Sequence, residues 1–261
     1  PKNLKNVEVL VFLIAFFISL VLPWNPTEAR EIDHAHQYKA CMALAKKSPE
    51  EAFETALTWR DLGGGDAAEH CVAAALIGLG QYTDAARRME TLAGKAKQNS
   101  SVKAGLLAHA AQAWLLADQA ARAEAVLMAA LKLTPEDSAL FVDRAQARAA
   151  LKDFKGALED LNHAIAREDR RADAYVFRAA TYRFLDKPEL ALADVERALA
   201  LAPTHAEGLL ERGILRRLRQ DNDGARQDWL RVLRLAPKSR AADASRRNLE
   251  KMDVKPDEPQ R

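Results

Sequence analysis

The stretch RAATYRFLDKPELALADVERALALAP, residues 178–203, returns at 212–237 as RGILRRLRQDNDGARQDWLRVLRLAP, and the same frame stands upstream at 144–170 in RAQARAALKDFKGALEDLNHAIAREDR. A fixed period of about 34 residues constrains the chain more than any other feature, because a unit that short must bury its apolar face against the next copy. A stacked array has no single centre, so a length of 261 residues does not translate into one or two globular cores.

Small residues locate the units. Ala40, Ala73, Ala111, Ala145, Ala179 and Gly213 mark one position, and Ala52, Ala85, Ala123, Ala157, Ala191 and Ala225 mark a second, always at the same offset from the first. That offset suits a helix, a short turn and an antiparallel second helix, whose close crossing tolerates nothing larger than alanine. The steps of the second position are equal from Ala123 to Ala225, but the one from Ala85 to Ala123 is longer, which places an insertion around 94–101. Met89, Leu127, Leu161, Val195 and Trp229 follow the second small residue by four and face inward on a 3.6-residue period. Pro135, Pro203 and Pro237 close three units, because proline cannot continue a helix and pushes the residue before it out of helical geometry.

The small residues of both helices, the turn residues Gly80 and Tyr82 and the closing prolines resemble tetratricopeptide repeats over about residues 33–252, most closely over 104–239. Gly63–Gly65 and Asp169 stand where two units lack the closing proline. The resemblance implies an all-α, right-handed superhelical solenoid of about six helix-turn-helix units, at about 33–65, 66–103, 104–137, 138–171, 172–205 and 206–239. A capping helix follows at 240–252, with Ser239 as its N-cap, within a repeat region of 30–252. Residues 253–261 carry too little apolar surface to order themselves and are expected to be a disordered tail.

Before the repeats, Lys2 and Lys5 precede an uncharged apolar run at 9–22, and Thr27 and Ala29 bracket a passable cleavage site. Residues 1–29 therefore read as a secretory signal or, if uncleaved, an N-terminal anchor touching the membrane through 7–24. The expected location is periplasmic or secreted. Cys41 and Cys71 lie on the first helices of consecutive units, and an oxidising compartment favours a disulfide between them over two buried thiols.

Charge and motif exclude several functions. The 39 basic and 37 acidic residues are spread along the chain for a net +2, which supplies no stripe for a phosphate backbone, so no nucleic-acid partner is expected. No nucleophile elbow, zincin helix or phosphate-binding glycine loop is present, so neither catalysis nor a cofactor is expected. His34 and His36, two residues apart, share no helical face and suggest no metal site. Arg144 with Asp160, Arg178 with Asp194 and Arg212 with Asp228 recur at one spacing, and such repetition marks a tie within each hairpin, or to the neighbouring unit, rather than three reactive sites. For partly exposed pairs each tie contributes about 0–1 kcal/mol.

Function is expected on the wall formed by the first helices. Its residues include Tyr38, His70 and Cys71, and the candidate partner-binding set is His109, Gln112, Asp143, Gln146, Phe177, Arg183, Phe184, Glu211 and Arg217. Phe177, Arg183 and Phe184 suit an apolar or aromatic side chain of a bound peptide, or simply pack between units. The lysine and asparagine set with which receptors of this family hold a terminal carboxylate is missing, since Ala108, Gln112, Asp143, Asp173 and Phe177 stand at those places. The expected function is a non-catalytic scaffold of the cell envelope that binds a peptide or helix of another protein in its groove. A self-assembling solenoid, with homo-oligomers, and a metal- or thiol-dependent envelope protein are the alternatives.

Overall fold

The computed structural model describes residues 34–95 and 99–253. The chain divides into a unit of residues 1–37, of which only the four residues opening a helix at His34 are described, and a unit of residues 38–261. The apolar run at 9–22, Asp33 and the tail 254–261 lie outside the described residues. Among those described, no helix is long and apolar enough to cross a membrane.

Helices follow one another without a strand among the described residues: α1 (His34–Lys47), α2 (Pro49–Trp59), α3 (Gly65–Gly78), α4 (Tyr82–Lys95), α5 (Ser100–Leu116), α6 (Ala120–Leu133), α7 (Ser138–Ala150), α8 (Phe154–Arg167), α9 (Ala172–Phe184), α10 (Pro188–Leu201), α11 (Ala206–Leu218), α12 (Asn222–Leu235) and α13 (Arg240–Asp253). From α3 onward each helix packs on the next, and first helices of successive units also touch: α5 on α7, α7 on α9, α9 on α11, and α11 on the capping helix α13. The expected hairpins and cap are therefore present, and Ser239 Oγ accepts from the Ala242 N–H at 3.1 Å as the N-cap.

The crossings lie where the small residues fall. Ala73, Ala111, Ala145 and Ala179 on first helices, and Ala52, Ala85, Ala123, Ala157, Ala191 and Ala225 on second helices, are buried, as are Met89, Leu127, Leu161, Val195 and Trp229 one turn beyond. Burying each of those large side chains contributes roughly 1.5–3 kcal/mol. Ala40 departs from the pattern, because it is exposed while Cys41 beside it is buried. Cys41 is disulfide-bonded to Cys71 on α3, with Cα atoms 6.2 Å apart, and a residue turned toward α3 carries its neighbour about 100° away round the helix. The first joint is also shorter, since Ser48 alone separates α1 from α2 where later hairpins use three residues.

Those three-residue turns share one conformation. Gly80, Asp118, Lys152, Asp186 and Gln220 all have positive φ, between 56° and 75°. In each the following N–H returns to the carbonyl five residues back, from Gln81 to Leu76, Gln119 to Trp114, Asp153 to Arg148, Lys187 to Tyr182 and Asp221 to Arg216, all at 2.9 Å. This is the left-handed helix stop that glycine adopts without strain, built here four times out of five from other residues. Gly63–Gly65 solves a different problem at the boundary between the first and second units. A Cβ on Gly64 would fall 2.8 Å from the Trp59 indole, and Gly63 and Gly65 have φ of 90° and 55°.

Candidate functional site

The arginine–aspartate ties are bidentate hydrogen-bonded pairs. Arg144 donates to Asp160 at 2.9 and 2.6 Å, Arg178 to Asp194 at 2.7 and 2.8 Å, and Arg212 to Asp228 at 2.9 and 2.7 Å. The carboxylates are buried rather than partly exposed, so the expected 0–1 kcal/mol understates what removing a partner would cost. These side chains hold hairpins together and are not free to bind a ligand.

On the first-helix wall the predicted residues separate into two groups. In the later units most are engaged elsewhere. Arg183 donates from Nε and Nη2 to the Glu211 carboxylate at 2.5 and 3.2 Å, and Glu211 is only 6% exposed. Glu211 is therefore a buried counterion of Arg183 and offers nothing to a partner. Phe184 is exposed, but it stacks on Phe154 at the start of α8 with ring centroids 4.9 Å apart, which places it at the hairpin ends. Phe177 packs on the core cluster and Arg217 is exposed on the last turn of α11. Cys71 is fully buried in its disulfide and does not line the wall.

In the early units α1, α3 and α5, with Pro49 of α2 and Met89 of α4, line a cavity of about 450 Å³ formed by Met42, Ala45, Lys46, Pro49, His70, Ala74, Ile77, Gly78, Met89, His109 and Gln112. Its depth has a local cause at Gly78, where a Cβ would fall 2.6 Å from the Pro49 ring. Polar groups sit at its rim in a chain. The Tyr38 hydroxyl is 2.7 Å from His70 Nδ1, and His70 Nε2 is 3.1 Å from His109 Nδ1, with the two imidazoles stacked 5.2 Å apart. If the tyrosyl O–H donates to His70 Nδ1, His70 must carry its proton on Nε2. His109 then accepts at Nδ1 and presents an Nε2–H donor.

Desolvation holds both imidazoles neutral. It pushes His70 down to about 4, aided by the nearby His109, and lowers His109 as well. One unit further along, Asp143 goes the other way. Burial raises its carboxyl to about 6 against a hydrogen bond from Gln112, with Asp173 and Asp137 adding repulsion and Arg171 opposing it. Of the predicted set, His109 and Gln112 thus line the cavity and Asp143 adjoins it through Gln112. Sequence reasoning placed Tyr38 and His70 on the wall without selecting them, and it missed Met42, Lys46, Ala74, Ile77 and Met89. The apolar members carry only a core-like signal in the sequence, because the cavity exists through the spacing of three helices.

No family model matches the chain. A tetratricopeptide-repeat protein of Parabacteroides merdae superposes with a TM-score of 0.69 at 15% identity, over 85% of this chain and 86% of that one. A thermophilic protein of the same repeat class from Thermus thermophilus superposes with a TM-score of 0.63 at 21% identity, over 73% of this chain and all of that one. In sequence, tetratricopeptide repeat protein 36 of Bos taurus is 40% identical over 87 residues, 32% of this chain and 46% of that protein. The chain has the fold of a tetratricopeptide-repeat solenoid. It spans less than half the length of the curated relatives it matches. As a tetratricopeptide-repeat solenoid it presents its first helices on a shared wall, where the cavity of α1, α3 and α5 is found.

Proposed function

We propose that the chain is a non-catalytic protein-interaction scaffold that takes a segment of a partner protein along its first-helix wall. The observation that carries this reading is the cavity between α1, α3 and α5. It is mostly apolar, open at one side and edged by His109 and Gln112, which suits an apolar side chain whose backbone is held by hydrogen bonds at the rim. The wall continues from there through Asp143, Gln146 and Phe177. In this reading the protein works outside the cytoplasm. The Cys41–Cys71 disulfide is compatible with an oxidising compartment, and the lysines and apolar run at the N-terminus have the form of an export signal.

The test compares two baits, the wild type and Ala74→Phe, which places a ring in the cavity. Each is incubated with envelope extract, and the captured proteins are identified by mass spectrometry. At least one protein retained by the wild type should fall about tenfold with Ala74→Phe while helicity and melting temperature stay close to wild type. Equal capture by both baits would remove the cavity as the seat of binding.

A further inference from the structure

The longest step between units is the one from Ala85 to Ala123, and two cavities lie on the helices that flank it. A cavity of about 530 Å³ lies between α4, α5 and α6, lined by Arg87, Glu90, Thr91, Trp114, Arg122, Ala125 and Val126. A second, of about 450 Å³, continues along α4 toward Arg60 and Lys95 and shares Arg87 and Thr91 with the first. The two make one trough that runs along α4 and is bordered by α3, α5 and α6, with lining residues distinct from those of the cavity assigned to the partner above.

Its floor is Trp114, buried and held in place by an Nε1–H bond to the Glu90 carboxylate at 2.5 Å. Arg122 lies over the indole with its guanidinium carbon 4.7 Å from the ring centroid, so its donor edges stay available. Among the described residues neither Arg87, Lys95 nor Arg122 has a carboxylate within ion-pair distance, whereas Arg60 and Arg88 share Glu69. Five basic side chains line the trough against three carboxylates. Two of those carboxylates are engaged, Glu69 by two arginines and Glu90 by the indole.

We propose that this trough is a second docking surface, taking an acidic segment of a partner protein whose carboxylates pair with Arg87, Arg122 and Lys95 and whose apolar side chains lie on Ala125 and Val126, beside the buried Trp114. The occupant follows from charge complementarity. Uncommitted cations flanking an aromatic floor favour carboxylates and apolar groups presented together, while a basic segment would face the positive surplus. Pairing at an exposed rim of this kind acts mainly on association rate and weakens with salt.

The probe is a fluorescently labelled hexapeptide in which glutamates alternate with leucines, beside versions with glutamine or lysine in place of glutamate. Binding is followed by anisotropy at low salt, and unlabelled peptide is added while the indole N–H resonances of the intact protein are recorded. The Trp114 resonance should move while those of the buried Trp59 and Trp229 stay. The acidic peptide should bind at least tenfold more tightly than the glutamine version. Arg87→Glu with Arg122→Glu should lower its affinity at least tenfold, and Arg234→Glu, on exposed α12 surface, should change it less than twofold. If the double charge reversal alters helicity, Arg87→Gln with Arg122→Gln serves instead, with a loss of about fivefold. A stationary Trp114 resonance, equal binding of the glutamine peptide, or an equal loss with Arg234→Glu would each overturn the proposal.

Discussion

Two kinds of residue show how much a repeated position can vary when its neighbours change with it. At the hairpin stops, Lys152 and Gln220 occupy the left-handed region at φ 65°, where an L residue meets a steric penalty that glycine avoids. Lys152→Gly and Gln220→Gly should each raise stability by about 0.5–1 kcal/mol, the penalty removed being partly offset by glycine's freedom in the unfolded chain. Urea denaturation monitored by circular dichroism checks this. Among the buried aspartates, Asp160 also accepts from Arg148 at 3.1 Å and Asp228 from Arg216 at 2.8 Å. In the fifth unit the matching residue is Tyr182, which leaves Asp194 dependent on Arg178. Arg178→Met should therefore cost about 3–5 kcal/mol and Arg144→Met or Arg212→Met about 1–2 kcal/mol, because only the first strands a buried charge. Equal losses in all three would show that the second arginines carry no weight.

At the scale of the helix pair, the packing of α11 on α12 shows why one crossing uses glycine. Trp229 stands where Val195 stands one unit earlier, and its indole fills the space that a methyl group on Gly213 would need. Its Nε1–H also donates to the Leu210 carbonyl at 3.2 Å. Gly213→Ala should destabilise by about 1–3 kcal/mol through overpacking. In the Trp229→Leu background the same substitution should cost under about 0.5 kcal/mol or become favourable, since alanine is the better helix former. A double-mutant cycle in urea measures the difference directly, and additive effects would contradict the contact. In the first pair the buried face of α1 carries Cys41, bonded to α3, and Ala45, which clusters with Ala52 of α2 and Ala75 of α3.

On the first-helix wall, pH acts in opposite senses through the lowered histidines His70 and His109 and the raised Asp143. His70, lowered to about 4 from an ordinary 6.5, contributes stability that is complete above 6.5 and is lost as pH falls toward 4, because the unfolded chain takes up the proton first. Asp143, raised to about 6 from 3.8, contributes stability that is complete below 3.8 and is lost as pH rises through 6. Their slopes oppose each other between about 4 and 6. Asp143→Asn, which is neutral throughout, should therefore gain stability relative to the wild type as pH is raised from 4 to 7. Melting temperatures of the two proteins across that range check it, and a constant difference would mean that Asp143 is well solvated.

The sequence by itself determined the array. Alanines at one constant offset, large apolar residues one turn further and prolines behind the second helices specify paired rods, because helical periodicity and close approach are properties of local spacing. It also pointed to a Cys41–Cys71 bridge, on adjacent first helices in a chain read as exported, and to each arginine with its aspartate, which recur at one spacing. Only the tertiary structure decided which wall residues are available. Glu211 and Arg183 look like binding groups one at a time, and they neutralise each other once α9 lies on α11. Met42, Ala74 and Met89 read as core, yet they line a cavity because α1, α3, α4 and α5 meet without filling the space between them. A repeat encodes the contacts it makes with every neighbour, while a cavity or a committed charge depends on the particular side chains that two or three units bring together.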